Sequence, residues 1–277
     1  MKITMAYPST PDSAFALHAL VSGKIDTGDI ELSATVKSIT TLNNLACRGE
    51  YDVTTLSAHA FAYARDHYMI SKAGGIFGLG FGPVVLSTEV ASADKLGKST
   101  VAIAETTSSA YLAMSLYNPS GRTMMLPADK MIPAIRSGLV QYGLFAHANH
   151  LASRNQGLST VLDLGEWWSR QGDKQGQPLP LHLVAIKSSL PGEIANRLSE
   201  LISQSVQYAR DNRPEALAAA SLYGPYELLD QIEPFVDKYI TDISLDMGTT
   251  GSTAIKELLL RGQNQGLFDD PKPIEFC

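Results

Sequence analysis

Two histidines three residues apart, His147 and His150, close the segment Gly143-Leu-Phe-Ala-His147-Ala-Asn-His150. The apolar run before them, Tyr142 to Ala146, has the length and composition of a buried strand. In open α/β sheets ligands bind beyond the carboxyl ends of strands, so His147 falls where chemistry would take place. Imidazole is the side chain best matched to proton transfer near neutral pH, which makes His147 the candidate general base. An exposed or structural histidine is the plain alternative. Two histidines at this spacing would share a helix face, but zinc normally takes three or four ligands. No cysteine or acidic residue stands close by in sequence, so no metal is expected. His18, His59, His67 and His182 lie inside ordinary helix or strand patterns and read as structural.

Hydroxyl groups supply the second set of candidates. Ser108 and Ser109 open a helical pattern directly after an apolar strand. Hydroxyls and free backbone N–H groups at a helix start can hold an anion, here a substrate carboxylate. The same residues read equally as an ordinary helix cap. Thr54-Thr55-Leu56-Ser57 ends another strand, and Thr55 and Ser57 would face the same cleft. Asp163-Leu-Gly-Glu-Trp-Trp168 contains two acids three apart; a capped helix start with two packing tryptophans explains it better than an acid pair. No nucleophile elbow, phosphate loop or dinucleotide fingerprint is present, because Gly78-Leu-Gly80-Phe-Gly82 has neither the spacing nor the strand-to-helix context.

These residues must be positioned by alternating strands and helices, the mark of an α/β fold with mainly parallel sheets. Strand patterns cover Lys2 to Ala6, Glu31 to Val36, Val53 to Ser57 and Tyr68 to Ala73. Amphipathic helices are expected at Asp12 to Ser22, with Phe15, Leu17 and Leu20 inward, and at Ile39 to Arg48 and Ala58 to Arg65. Five glycines in the nine residues Gly74 to Gly82 predict a flexible crossing. A second α/β unit follows, with strands at Val84 to Ser87, Thr100 to Ala104, Arg122 to Leu126 and Tyr142 to Ala146. Its helices are Ser109 to Tyr117 and Ala128 to Ser137. Leu181 to Lys187 returns as a strand, and the rest is largely helical. Two lobes joined by two crossings describe a type II periplasmic-binding-protein-like fold with an interlobe cleft. Residues 1–86 with 183–277 are expected to form the large lobe, and residues 87–182 the small one.

Composition narrows the partners. The 277 residues are 44% hydrophobic and 18% charged, as in a globular protein with a real core. A net charge of −6 and no Lys/Arg cluster argue against nucleic acid. No apolar run approaches the roughly 18 residues that cross a bilayer, so no membrane insertion is expected. The first residues go straight into a strand pattern without an export-type apolar stretch, and a cytoplasmic location is expected. Cys47 and Cys277 lack metal-type spacing and read as reduced thiols. A homodimer is left open.

Taken in order, these pieces resemble the 1,4-dihydroxy-6-naphthoate synthases of the futalosine route to menaquinone. The resemblance runs through Pro8, Asp12 and Phe15, Thr41-Leu-Asn-Asn44, Tyr51 to Ser57 and Gly80-Phe-Gly-Pro-Val-Val85. It continues through Ser108-Ser-Ala-Tyr-Leu112, Gly143 to His147, Asp163 to Trp168, Pro178-Leu-Pro-Leu181 and Asp242 to Met247. It implies a carbon–carbon lyase that splits cyclic dehypoxanthine futalosine into 1,4-dihydroxy-6-naphthoate and a three-carbon sugar fragment. His147 would be the base, with Thr55, Ser57, Ser108 and Ser109 lining the substrate cleft, and neither metal nor organic cofactor required. A solute-binding protein for a small carboxylate and the sister enzyme chorismate dehydratase are the competing readings. The chain departs from the family's pattern at Ala148, Leu151 and Ala152, at Ser38 or Ile39 where an acid is expected, and at Asp12, which follows proline.

Overall fold

A computed structural model describes residues 1–89, 92–146, 157–171, 176–223, 230–269 and 272–277. Its strands fall into two sheets. The first contains β1 (Lys2–Pro8), β2 (Glu31–Lys37), β3 (Val53–Ser57), β4 (Tyr68–Ile70), β5 (Ile76–Gly78) and β11 (Leu179–Lys187). Its order is β2-β1-β3-β11-β4, with β5 also paired to β11. The second contains β6 (Val84–Ser87), β7 (Thr100–Ile103), β8 (Arg122–Met125), β9 (Tyr142–Phe145) and β10 (Ser159–Asp163), ordered β10-β6-β9-β7-β8.

The sheets are mixed, where the sequence pattern suggests mainly parallel ones. β1 runs parallel to β2 and β3, and β7 to β8 and β9. The two strands that enter from the crossings run the other way: β6 is antiparallel to β9 and β10, and β11 to β3, β4 and β5. A strand arriving from the opposite lobe has no βαβ turn to force it parallel. β11 is central in its sheet, and Leu179 through Ile186 are all buried; its near-continuous apolar run is what burial on both faces demands. The lobe boundaries expected at 86/87 and 182/183 fall inside β6 and β11, since each strand belongs whole to one sheet.

The first helix, α1 (Pro11–Val21), starts with Pro11, whose fixed φ suits a first helical position. It is buried on nearly every side from Pro11 to Leu20, rather than on one stripe. It packs on β1 and also against the C-terminal helices Gly192–Asp211 and Arg213–Ser221, so two neighbours claim opposite faces. The remaining helices that bear on the site are α2 (Ile39–Ala46), α3 (Ala58–Ala64), α4 (Ser109–Tyr117) and α5 (Ala128–Arg136).

Glycine at the first crossing serves close approach. A Cβ on Gly165, in the short helix Leu164–Ser169, would lie 2.0 Å from the backbone carbonyl of Phe81. One on Gly82 would meet the Gly165 backbone at 3.1 Å. The crossing is therefore packed backbone on backbone. Gly165→Ala should destabilise the fold by about 3 kcal/mol or more, because backbone cannot swing aside. Gly192→Ala, where an added methyl meets nothing within 4 Å, should change stability by less than about 0.5 kcal/mol. Urea midpoints of the two variants test the contrast.

Candidate functional site

Ser57 ends β3 and stands just before α3, in position to cap it, but its hydroxyl makes no cap bond. Asn43 of α2 claims it instead. Asn43 Nδ2 donates to Ser57 Oγ at 3.1 Å, and Asn43 Oδ1 accepts from Ser57 N at 2.8 Å. The same Nδ2 donates at 3.2 Å to Oε2 of Glu105, in the loop that leaves β7 of the second sheet. Thr107 Oγ1 reaches that oxygen too, at 3.2 Å. One amide therefore joins the two halves of the molecule. Asn43 is fully buried, where an unpaired amide would be costly, and these bonds satisfy it.

Ser108 and Ser109 occupy the start of α4 with different tasks. Ser108 is the cap, its Oγ accepting from Tyr111 N at 3.1 Å. Ser109 is buried, accepts from Ala58 N at 2.9 Å and donates its proton to Leu181 O at 2.6 Å. Ser57, Ser108 and Ser109 line one small cavity of about 20 Å³ with Glu105, His182 and Ala146, the residue that leads to His147. His147 and His150 lie outside the described residues. Thr55 sits two residues before Ser57, opposite Val184 of β11. Its Oγ1 is buried without a hydrogen-bond partner among the described residues.

The cavity adjoins a larger cleft of about 540 Å³, lined by Thr40 and Asn44 from α2, Ala104 to Thr107, and Met125 to Pro127. Glu105 lines both. Burial pushes its carboxyl above the ordinary carboxylate value, partly offset by hydrogen bonds from Asn43, Thr107 and Thr40. Sequence reasoning missed Glu105, because a lone acid after a strand carries no pattern. His182, which reads as structural from the sequence, is paired with Ser57 across the β3–β11 ladder and lines the inner cavity. Among the described residues no group of three or more His, Cys, Asp or Glu could hold a metal ion, and no helix is long and apolar enough to cross a membrane.

Asp163 caps its helix by accepting from Gly165 N and Glu166 N at 2.8 and 3.1 Å, and Glu166 pairs with Arg170. Trp168 is fully buried with Nε1 donating to Pro178 O, and Trp167 stands edge-on to Tyr117. The two acids are structural.

A profile of the menaquinone-biosynthesis family matches residues 3–264. The chain belongs to that family. It is 30% identical to the 1,4-dihydroxy-6-naphthoate synthase of Thermus thermophilus over 98% of both chains. With the synthase of Streptomyces coelicolor it shares 32% identity over 96% of this chain and 94% of that one. A crystal structure of an Archaeoglobus fulgidus protein superposes with a TM-score of 0.88 at 32% identity, covering 96% of this chain and 98% of that one. The periplasmic aliphatic sulphonate binding protein of Escherichia coli aligns at a TM-score of 0.66 with 13% identity, over 99% and 90% of the two chains. That likeness establishes the periplasmic-binding-protein-like fold.

In this member of the menaquinone-biosynthesis family, His59 of α3 lies beneath the loop that carries Glu105 and Ser108. It stacks on Tyr111 and packs against Tyr63 and Phe268. Burial lowers its pKa from 6.5 to about 4, against a smaller opposing effect of the backbone at Ser108 and Thr106. The neutral ring is favoured in the fold, so the unfolded chain binds the extra proton between these two values. Stability contributed by His59 is thus present above about pH 6.5 and lost as pH falls toward about 4. His59→Phe should flatten that part of the stability–pH profile, as read from denaturant midpoints across the window.

Ser109→Ala strips partners from the buried Ala58 N–H and Leu181 C=O and should cost about 1–3 kcal/mol. Ser108→Ala removes only a cap, worth about 1 kcal/mol. Equal losses in thermal unfolding would contradict the bridging role of Ser109.

Proposed function

We propose that this protein is a 1,4-dihydroxy-6-naphthoate synthase: a carbon–carbon lyase that converts cyclic dehypoxanthine futalosine to 1,4-dihydroxy-6-naphthoate and dihydroxyacetone. The observation that carries the reading is the meeting of Ser57, Ser108, Ser109 and Ala146 at one cavity, in a chain matched nearly end to end by two curated proteins of that name. His147, one residue beyond Ala146, is the general base. A neutral imidazole takes the substrate proton, the carbon–carbon bond breaks as the second ring becomes aromatic, and the three-carbon remnant leaves as an enediolate that takes the proton back from the imidazolium to give dihydroxyacetone. Ser57 and Ser108 stand on the substrate side. Thr55 backs them, and Ser109 acts by tying α4 to β11 and α3. The lobe built on the first sheet and the lobe built on the second enclose the substrate and keep water out while the intermediate exists. The chemistry needs no cofactor, and the enzyme works in the cytoplasm on a small carboxylate substrate.

Incubation with cyclic dehypoxanthine futalosine should release the naphthoate, followed by mass spectrometry or absorbance. His147→Ala should lower kcat by about 10²–10⁴, the usual contribution of a positioned base, with the fold intact by circular dichroism. His150→Ala should cost far less. Retention of more than about a tenth of kcat by His147→Ala would move the base to another residue. Tight binding of the substrate without turnover by the wild-type protein would instead favour a solute-binding role.

A further inference from the structure

Among the described residues Glu105 is the one carboxylate that lines both the inner cavity and the larger cleft. The hydrogen bonds it receives come from uncharged groups: Asn43, Thr107 and Thr40. Among the described residues neither cavity is lined by lysine or arginine. Its negative charge is therefore met, among the described residues, by dipoles alone, at a partly buried position. A carboxylate so placed accepts further hydrogen bonds from ligand donors and repels a second anion strongly. Around it, Asn44 and Thr106 offer neutral hydrogen-bonding groups to the same space, while Ala104, Leu126 and Pro127 present a hydrocarbon wall. That combination fits a chain of carbons bearing hydroxyls, in the way that an acidic side chain receives the ribose hydroxyl in dinucleotide-binding folds.

We propose that Glu105 makes this part of the cleft a subsite for an uncharged, hydroxyl-bearing aliphatic segment of the ligand and turns a carboxylate away from it. Glu105 is thus a specificity-determining residue, and the ligand's own carboxylate must lie away from it. The inference rests on the reading of this cleft as the substrate site, and it says which way round the substrate enters.

A matched pair of probes tests it. D-Gluconate and D-glucarate share one carbon chain and differ at one terminus, which is a primary alcohol in the first and a carboxylate in the second. Titration calorimetry on the wild-type protein should find gluconate bound about tenfold or more tightly than glucarate. Glu105→Gln and Glu105→Ala should bring the ratio toward one, by weakening gluconate and relieving the repulsion of glucarate. Equal or tighter binding of glucarate by the wild-type protein, failure of either acid to bind it, or an unchanged ratio in a folded variant would each overturn the proposal. Should neither variant fold, the wild-type ratio decides alone. Both acids are unreacted probes, so the outcome is separate from turnover. Naphthoate formation without a gluconate preference would sink this inference only, and the preference without naphthoate formation would sink the proposed reaction only.

Discussion

A single serine hydroxyl ties together three distant pieces of chain beside the inner cavity. Ser109 Oγ accepts from Ala58 N, at the turn from β3 into α3, and donates to Leu181 O in β11. The first of these segments belongs to the first sheet, the serine to the second lobe's leading helix, and the third to the strand that returns from the crossing. Backbone groups buried at such a junction cannot turn to water, so the arrangement of the three segments and the satisfaction of their polar groups are one constraint. Asn43 repeats the device at Ser57, one residue along the chain from Ala58, linking it to Glu105. Apolar packing surrounds the junction, with Leu56, Ala58, Ala110 and Leu181 in one continuous core, but packing alone does not set direction. Hydrogen bonds do.

The electrostatics of the cleft follow from that junction. The protein carries a net charge of −6, and among the described residues its cleft is lined by hydroxyls, an amide and one carboxyl rather than by cations. Among the described residues, the groups there that can hold an anion are backbone N–H donors and hydroxyls, whose strength comes from orientation. Partial burial raises the Glu105 carboxyl above its ordinary value, against the hydrogen bonds from Asn43, Thr107 and Thr40. His59 is packed against Tyr111 and Phe268 nearby, and burial favours its neutral ring.

Two departures from the family resemblance acquire local explanations. Ser38, where an acid is expected, caps α2 by accepting from Thr41 N at 3.2 Å, so it steadies the helix that presents Asn43. Asp12 follows Pro11, which opens α1, and is buried in the helix's first turn. Ala148, Leu151 and Ala152 lie outside the described residues.

The sequence by itself determined what depends on neighbours along the chain. Val84–Ser87 and Ser109–Tyr117 lie where periodicity and capping residues put them, and Asp163 caps its helix as its position before an acidic first turn implies. The grouping of Ser57, Ser108 and Ser109 was also legible, because each ends a strand or begins a helix on the cleft side. Tertiary structure alone decided the rest. The antiparallel entry of β6 and β11 depends on which sheet a returning strand joins, and the all-round burial of α1 depends on helices almost two hundred residues later. Glu105 and His182 look ordinary in their own segments. They become part of a site only because residues 57, 105 and 182 meet across two crossings, and a meeting of that kind is set by the packing of whole elements, which no local pattern encodes.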